Sequence, residues 1–172
     1  MTPAALLLAF VTFQRLGELV LARRNTRRLL ARGAIEVAPG HYRLIVALHA
    51  GWLAGLWLLA TPEPIQPIWL AVFLLLQAGR LWVLAALGER WTTRIIVLPQ
   101  APLVRRGPYR LVSHPNYVVV AGEIAVLPLV FGLGWYAVLF SALNAAVLAI
   151  RIRAENAGLA DMTPRAARPA PG

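Results

Sequence analysis

The sequence predicts an all-α, polytopic membrane helical bundle with about five transmembrane helices. Three observations predict it. Hydrophobic residues make up 59% of the 172 positions and charged residues only 14%, with a mean hydropathy of +0.66. The apolar residues gather in five long runs, which leave too little polar surface for a soluble domain of this length. All but two of the 17 arginines lie between or after those runs; Arg15 and Arg80 lie within them.

The first run spans Pro3 to Leu21 and is followed by Arg23 and Arg24. It lacks the basic start and small-residue cleavage pattern of a secretory leader, so it reads as a spanning helix. The second spans Leu44 to Ala60, the third Ile68 to Leu87 and the fifth Gly134 to Ile150. These approach the ~20 residues that a crossing needs. The fourth, Tyr117 to Phe131, is short. It qualifies only if its helix begins near His114, with Pro115 in the first turn, where a missing N–H costs nothing. Phe131-Gly132-Leu133-Gly134 is a tight turn between the last two helices. Thr93 to Leu98 is β-branched and suits a short strand or interfacial segment. The membrane domain is read as 1–162. The Pro-, Ala- and Arg-rich tail 163–172 is expected to be disordered.

Loop charge sets the topology. Arg23, Arg24, Arg27, Arg28, Arg32 and Arg43 follow the first run. Arg90, Arg94, Arg105, Arg106 and Arg110 precede the fourth, and Arg151, Arg153, Arg165 and Arg168 follow the fifth. The loop from Thr61 to Pro67 has only Glu63, and the Gly132 turn has no charge. The N-terminus is thus expected outside and the C-terminus in the cytoplasm, with the protein in the inner membrane. Trp69 and Trp135 fit the outer interface and Trp91 the inner one; Trp52, Trp57 and Trp82 read as packing residues. The net charge of +10 suits anionic lipid headgroups, and nucleic acid is not an expected partner. The chain has no cysteine and no lysine. That excludes disulfides, thiolate nucleophiles, Cys-bound metals and a catalytic lysine; no metal site is expected.

The polar residues within the runs are few: Gln14, Arg15, Glu18, His49, Gln77, Arg80, Glu123 and Asn144. At ~1.5 Å per residue they lie ~6 to 13 Å from the inner ends of their helices, and no charge falls in the outer half. A one-sided cluster suggests a pocket open to the cytoplasm, whereas a transporter needs polar groups through both leaflets. Arg15 and Glu18 are spaced to pair with each other, and Arg15 and Arg80 are near enough to the interface to snorkel. His49 and Asn144 suit bonds across helices. Glu18, Arg80 and Glu123 are the candidate catalytic residues, with Arg80 the partner expected for Glu123. Below them, Arg90 to Tyr117 carries Tyr109, His114, Asn116 and Tyr117 at the start of the fourth helix. Arg105, Arg106 and Arg110 there could grip an anion. Arg151 to Asn156 places both signs of charge at the inner end of the fifth helix.

Gly107 to Tyr117 reads GPYRLVSHPNY, with Glu123 after it and RIRAEN…L from Arg151 to Leu159. With these motifs the chain resembles the isoprenylcysteine carboxyl methyltransferase family, in its short bacterial branch. Arg90 to Pro99 and the N-terminal stretch from Gln14 to Tyr42 are similar to that branch too. The resemblance implies an integral-membrane methyltransferase that uses S-adenosylmethionine, bound on the cytoplasmic side. Tyr109, His114, Pro115, Tyr117, Arg153 and Glu155 would be the cofactor-site residues, with Glu123 near the reaction centre. Ser113 stands where the motif has Arg, a loss for which Arg110 could compensate, and Asn156 where it often has a second acid. The implied acceptor is a lipophilic small molecule entering from the bilayer, such as an alkylpyrone or phenolic lipid. A phospholipid N-methyltransferase remains an alternative, and a non-enzymatic transporter or scaffold is one of another class. A hydroxyl acceptor would need an acid–base partner, for which Glu123, Glu18 and His49 are candidates.

Overall fold

The computed structural model describes residues 2–37, 39–60, 62–99, 101–102 and 104–161, apart from the side chains of 41 and 156–161. The tail 163–172 lies outside the described residues. Five helices make up the body: α1 (Pro3–Ala31), α2 (Tyr42–Leu59), α3 (Pro67–Leu87), α4 (Pro115–Val130) and α5 (Gly134–Asp161). Four of them, α1, α2, α3 and α5, are long and apolar enough to cross a membrane. The fourth run forms a helix of 16 residues, ~24 Å long and short of a ~30 Å hydrocarbon core. It packs between α3 and α5, with Val119, Ile124, Leu127 and Val130 buried.

Helix ends follow local chemistry. Thr2 Oγ1 accepts the N–H of Ala5 at 3.2 Å, and Pro3 occupies the first turn of α1; both features favour a start there. Pro115 opens α4 with His114 at the cap position, as the sequence requires. Pro128 lacks the N–H that would continue the ladder. The chain leaves α4 through Gly132 at φ +71°, and Leu133 N–H returns to the Pro128 carbonyl at 3.0 Å, a glycine-closed helix end. At the C-terminal end of α3, Asn25 Nδ2 donates to the carbonyls of Gly88 (3.2 Å) and Trp91 (2.9 Å). Arg106 Nε donates to the Ala86 carbonyl at 2.8 Å, a cation at a helix C-terminus.

The two poles of the bundle differ. At the arginine-poor pole, Gln66 N–H bonds the Val130 carbonyl at 2.7 Å and joins the two short connections. At the arginine-rich pole, β1 (Ile35–Glu36) pairs antiparallel with β2 (Ile96–Val97), Ile35 opposite Val97. β2 is the short strand expected within Thr93 to Leu98. Arg94 reinforces the ribbon with a 2.9 Å ion pair to Glu36.

The main core joins Leu8, Trp52, Leu56, Phe73, Ile124, Leu127 and Phe131. A second cluster near the arginine-rich pole joins Ala22, Val83, Trp91 and Val119. Trp91 is therefore buried, not interfacial, because α1 continues past the apolar run and covers it. Trp82 is half exposed, on a face that apolar surroundings would cover, and is not the core packing residue expected. Phe13, Leu58, Leu75 and Val138 also point outward, as lipid-facing side chains do.

Candidate functional site

Six polar side chains from α1, α3 and α4 form one network in the middle of the bundle. Arg80 reaches both carboxylates: its Nε and Nη2 donate to Glu18, the latter at 2.5 Å, and its Nη1 to Glu123 at 2.5 Å. Arg15 bridges the same two acids, at 3.1 Å to Glu18 and 2.8 Å to Glu123. Gln77 donates to Glu123 at 2.7 Å, and Gln14 to Gln77 at 2.8 Å and to Glu18 at 3.3 Å. Two arginines thus match two glutamates. Arg80 does not snorkel, being buried, and Arg15 pairs beyond its own helix. His49 bonds Ile45 in its own helix at 2.9 Å, not a neighbouring one.

A cavity of about 520 Å³ opens at the arginine-rich pole. That size falls within the range of small-molecule sites. Leu29 of α1, Leu87 of α3, Trp91, the stretch Ile95 to Leu98 that contains β2, Tyr109, the start of α4, and Arg151 and Glu155 of α5 line it. Tyr117 Oη donates to Glu155 and accepts from Arg151 Nε at 2.9 Å. Arg151 Nη1 donates to the Thr93 carbonyl at 2.8 Å. The His114 ring stacks on Tyr117 at 5.1 Å, and its Nδ1 lies 3.9 Å from Glu155. Burial pushes the Tyr109 hydroxyl up to about 12, with the Glu155 charge adding to the effect, so it stays a neutral donor.

The cavity unites Tyr109, His114, Tyr117 and Glu155, four of the six expected cofactor residues. Pro115 is buried in the first turn of α4 and lies outside the lining. Arg153 is exposed and lies outside the lining; Arg151, only 7% exposed, takes its place. Residues 151 and 155 are one turn apart and share a helix face, whereas 153 is turned ~200° from 151. The i,i+4 spacing of Arg151 and Glu155 was the signal for this pair. Arg105 lines the cavity, Arg106 caps α3, and Arg110 donates to the Arg105 carbonyl at 3.4 Å outside the lining. Glu18, Arg80 and Glu123 come together, but outside the lining. Glu123 is six residues beyond Tyr117, ~9 Å along α4.

Arg151 has no carboxylate within 4.0 Å among the described residues. A buried, unpaired guanidinium beside a glutamate and three aromatic rings fits a zwitterionic ligand with an aromatic part. S-adenosylmethionine has these features, and the residues present fit it.

The fold and cavity define a polytopic membrane protein with a small-molecule site at its arginine-rich pole. Residues 69–161, more than half of the chain, match the isoprenylcysteine carboxyl methyltransferase (ICMT) family. An uncharacterized protein of Bacillus subtilis (strain 168), YpbQ, is 40% identical over 160 residues, covering 90% of this chain and 95% of its own. An uncharacterized protein of Haemophilus influenzae is 25% identical over 157 residues, covering 88% and 91%. No solved structure matches the chain. The chain belongs to the isoprenylcysteine carboxyl methyltransferase family and is an S-adenosylmethionine-dependent methyltransferase.

Proposed function

We propose that this methyltransferase acts on an oxygen of a lipophilic acceptor held in the bilayer: a carboxylate, a pyrone or a phenolic hydroxyl. The observation that carries the reading is the Arg151–Tyr117–Glu155 relay inside one cavity. In this reading Arg151 holds the cofactor carboxylate, a charge-assisted contact, and Glu155 its amino group. Tyr109, His114 and Tyr117 bracket the remainder. When bound, S-adenosylmethionine supplies an electrophilic methyl group on a sulfonium.

The domain is 1–162, with the arginine-rich pole in the cytoplasm and the N-terminus outside, so the soluble cofactor enters from below and the acceptor from the bilayer. Glu18, Arg80 and Glu123 act above the cavity, where their network fixes Arg15 toward the acceptor. Among the described lining residues four arginines (90, 94, 105 and 151) stand against Glu155, with Arg94 paired to Glu36, an electrostatic setting that disfavours a cationic phospholipid amine.

Calorimetric titration of purified protein with S-adenosylmethionine tests this reading. Wild type binds saturably, and Glu155→Ala and His114→Ala weaken binding at least tenfold. No saturable binding by wild type would sink it. Labelled methyl recovered from a lipid extract as a base-labile ester or a stable ether supports the oxygen acceptor; a methylated amine overturns it.

A further inference from the structure

Thr93 and Arg94 form a bend between Trp91 and β2 and belong to no helix or strand. No ladder fixes the peptide between them, yet its carbonyl holds a buried cation. Arg151 Nη1 donates to the Thr93 carbonyl at 2.8 Å. A carbonyl orients a partner only as well as it is itself held, so a precise site needs a second layer of contacts behind it.

Both residues that flank this carbonyl end on one ring. Thr93 Oγ1 donates to Tyr42 Oη at 3.3 Å. The Arg94 guanidinium lies over the Tyr42 ring, 4.8 Å from its centre, a cation–π contact. Arg94 Nη1 is held in turn by Glu36 at 2.9 Å, on the strand that pairs with β2. Thr92 Oγ1 closes the bend by donating to the Arg94 carbonyl at 2.7 Å. Tyr42 is half-buried and is the first residue of α2. The bend is therefore gripped from two sides, by the ribbon and by the start of a spanning helix.

The consequence falls on Arg151. Its Nε donates to Tyr117 Oη at 2.9 Å and its Nη1 to Thr93. One bond leaves a guanidinium free to swing about it. Two bonds, to different elements, set its plane. Nη2 has no protein partner among the described residues and is the open end of the planar fork. Arg151 lines the cavity, whereas Tyr42 and Thr93 are outside the lining. They act on a bound molecule through Arg151.

We infer that Tyr42 is a positioning residue for the cofactor: through Thr93 it fixes the plane in which Arg151 offers Nη2 to a carboxylate. This rests on the reading above that Arg151 holds the cofactor carboxylate. The influence of Tyr42 is then confined to ligands that carry that group.

Titration with two ligands separates positioning from support of the fold. One is S-adenosylmethionine. The other is its decarboxylated form, which keeps the adenosine, the sulfonium and the amine; where its binding is too weak for calorimetry, it is read by competition against labelled S-adenosylmethionine. Tyr42→Phe keeps the ring beside Arg94 and removes only the hydroxyl, and Thr93→Val removes that hydroxyl's partner. Each weakens S-adenosylmethionine binding about threefold or more, the scale of one neutral hydrogen bond. The double variant loses no more than the larger single loss, because both act through one bond. Thr93→Ser keeps the hydroxyl and binds within about twofold of wild type, and every variant holds the decarboxylated ligand within about twofold of the wild-type affinity. In turnover the loss appears in KM for S-adenosylmethionine, with kcat retained. Unchanged binding of S-adenosylmethionine, an equal loss with both ligands, or additive losses in the double variant overturns the proposal. If Tyr42→Phe does not fold, Thr93→Val and Thr93→Ser carry the same test. Wild type that binds both ligands equally tightly takes the carboxylate off Arg151 and overturns it too. Failure of the methyltransferase reading itself shows separately, as wild type that binds no S-adenosylmethionine.

Discussion

The network in the bundle and the cavity beneath it use the same residue types to opposite ends. In the network, Arg15 and Arg80 face Glu18 and Glu123, and the charges cancel within a closed set of bonds. In the cavity, Arg94 is taken by Glu36, but Arg151 is buried with no carboxylate partner among the described residues, and Glu155 bonds a tyrosine. A buried charge without a partner is costly. A site that keeps one is completed by something that binds there. On the function proposed above, the balanced set is a framework and the unbalanced one a receptor.

The comparison breaks first where the framework is sealed. Arg80→Ala leaves two carboxylates short of a cation and is expected to cost about 3–5 kcal/mol, read as a large fall in thermal stability in detergent. The combination of Arg80→Ala with Glu18→Gln and Glu123→Gln recovers part of that loss. In the receptor the pattern reverses. Arg151→Ala weakens S-adenosylmethionine binding by about 2–3 kcal/mol, the scale of a hydrogen bond to a charged group, with thermal stability of the free protein changed by less than about 1 kcal/mol. Tyr117→Phe removes the hydroxyl between Arg151 and Glu155 and weakens binding by about 1 kcal/mol in the same titration. The smallest effect concerns Tyr109. Its hydroxyl is raised to about 12 in the fold from about 10 unfolded, so the neutral form stabilises the native state. That contribution is whole below pH 10 and is lost as pH rises through 12. Wild type should lose stability relative to Tyr109→Phe only in that window, in denaturation curves at stepped pH.

Much of the fold was legible because hydropathy in long runs and Pro or Gly at run ends are local signals. The starts at Pro3 and Pro115 and the Gly132 turn follow from residue chemistry alone. Length alone does not decide α4, whose 16 residues begin at Pro115 as expected and pack between α3 and α5. The faces of the helices were harder to read. In lipid both sides of a helix are apolar, so Trp82 and Trp91 could not be sorted by hydropathy. The 10 residues by which α1 outruns its apolar segment, Ala22 to Ala31, bury Trp91 through Asn25 and Ala22, contacts 66 residues or more apart in sequence. Of the cavity lining, Tyr109, His114, Tyr117 and Glu155 were singled out by the motif. Arg151 was passed over for Arg153, although only the former shares a helix face with Glu155. The closed bonding of Glu18 and Glu123 required the tertiary structure.

The length of α1 has a mechanical side. One unbroken helix carries Arg15 in the network and Leu29 in the cavity wall, ~21 Å apart. A tilt of ~10° about one of these points swings the other by ~4 Å, more than the length of a hydrogen bond. Spanning helices answer bilayer thickness by tilting. A change of lipid thickness that tilts α1 would therefore act, as through a lever, on both the network and the cavity wall.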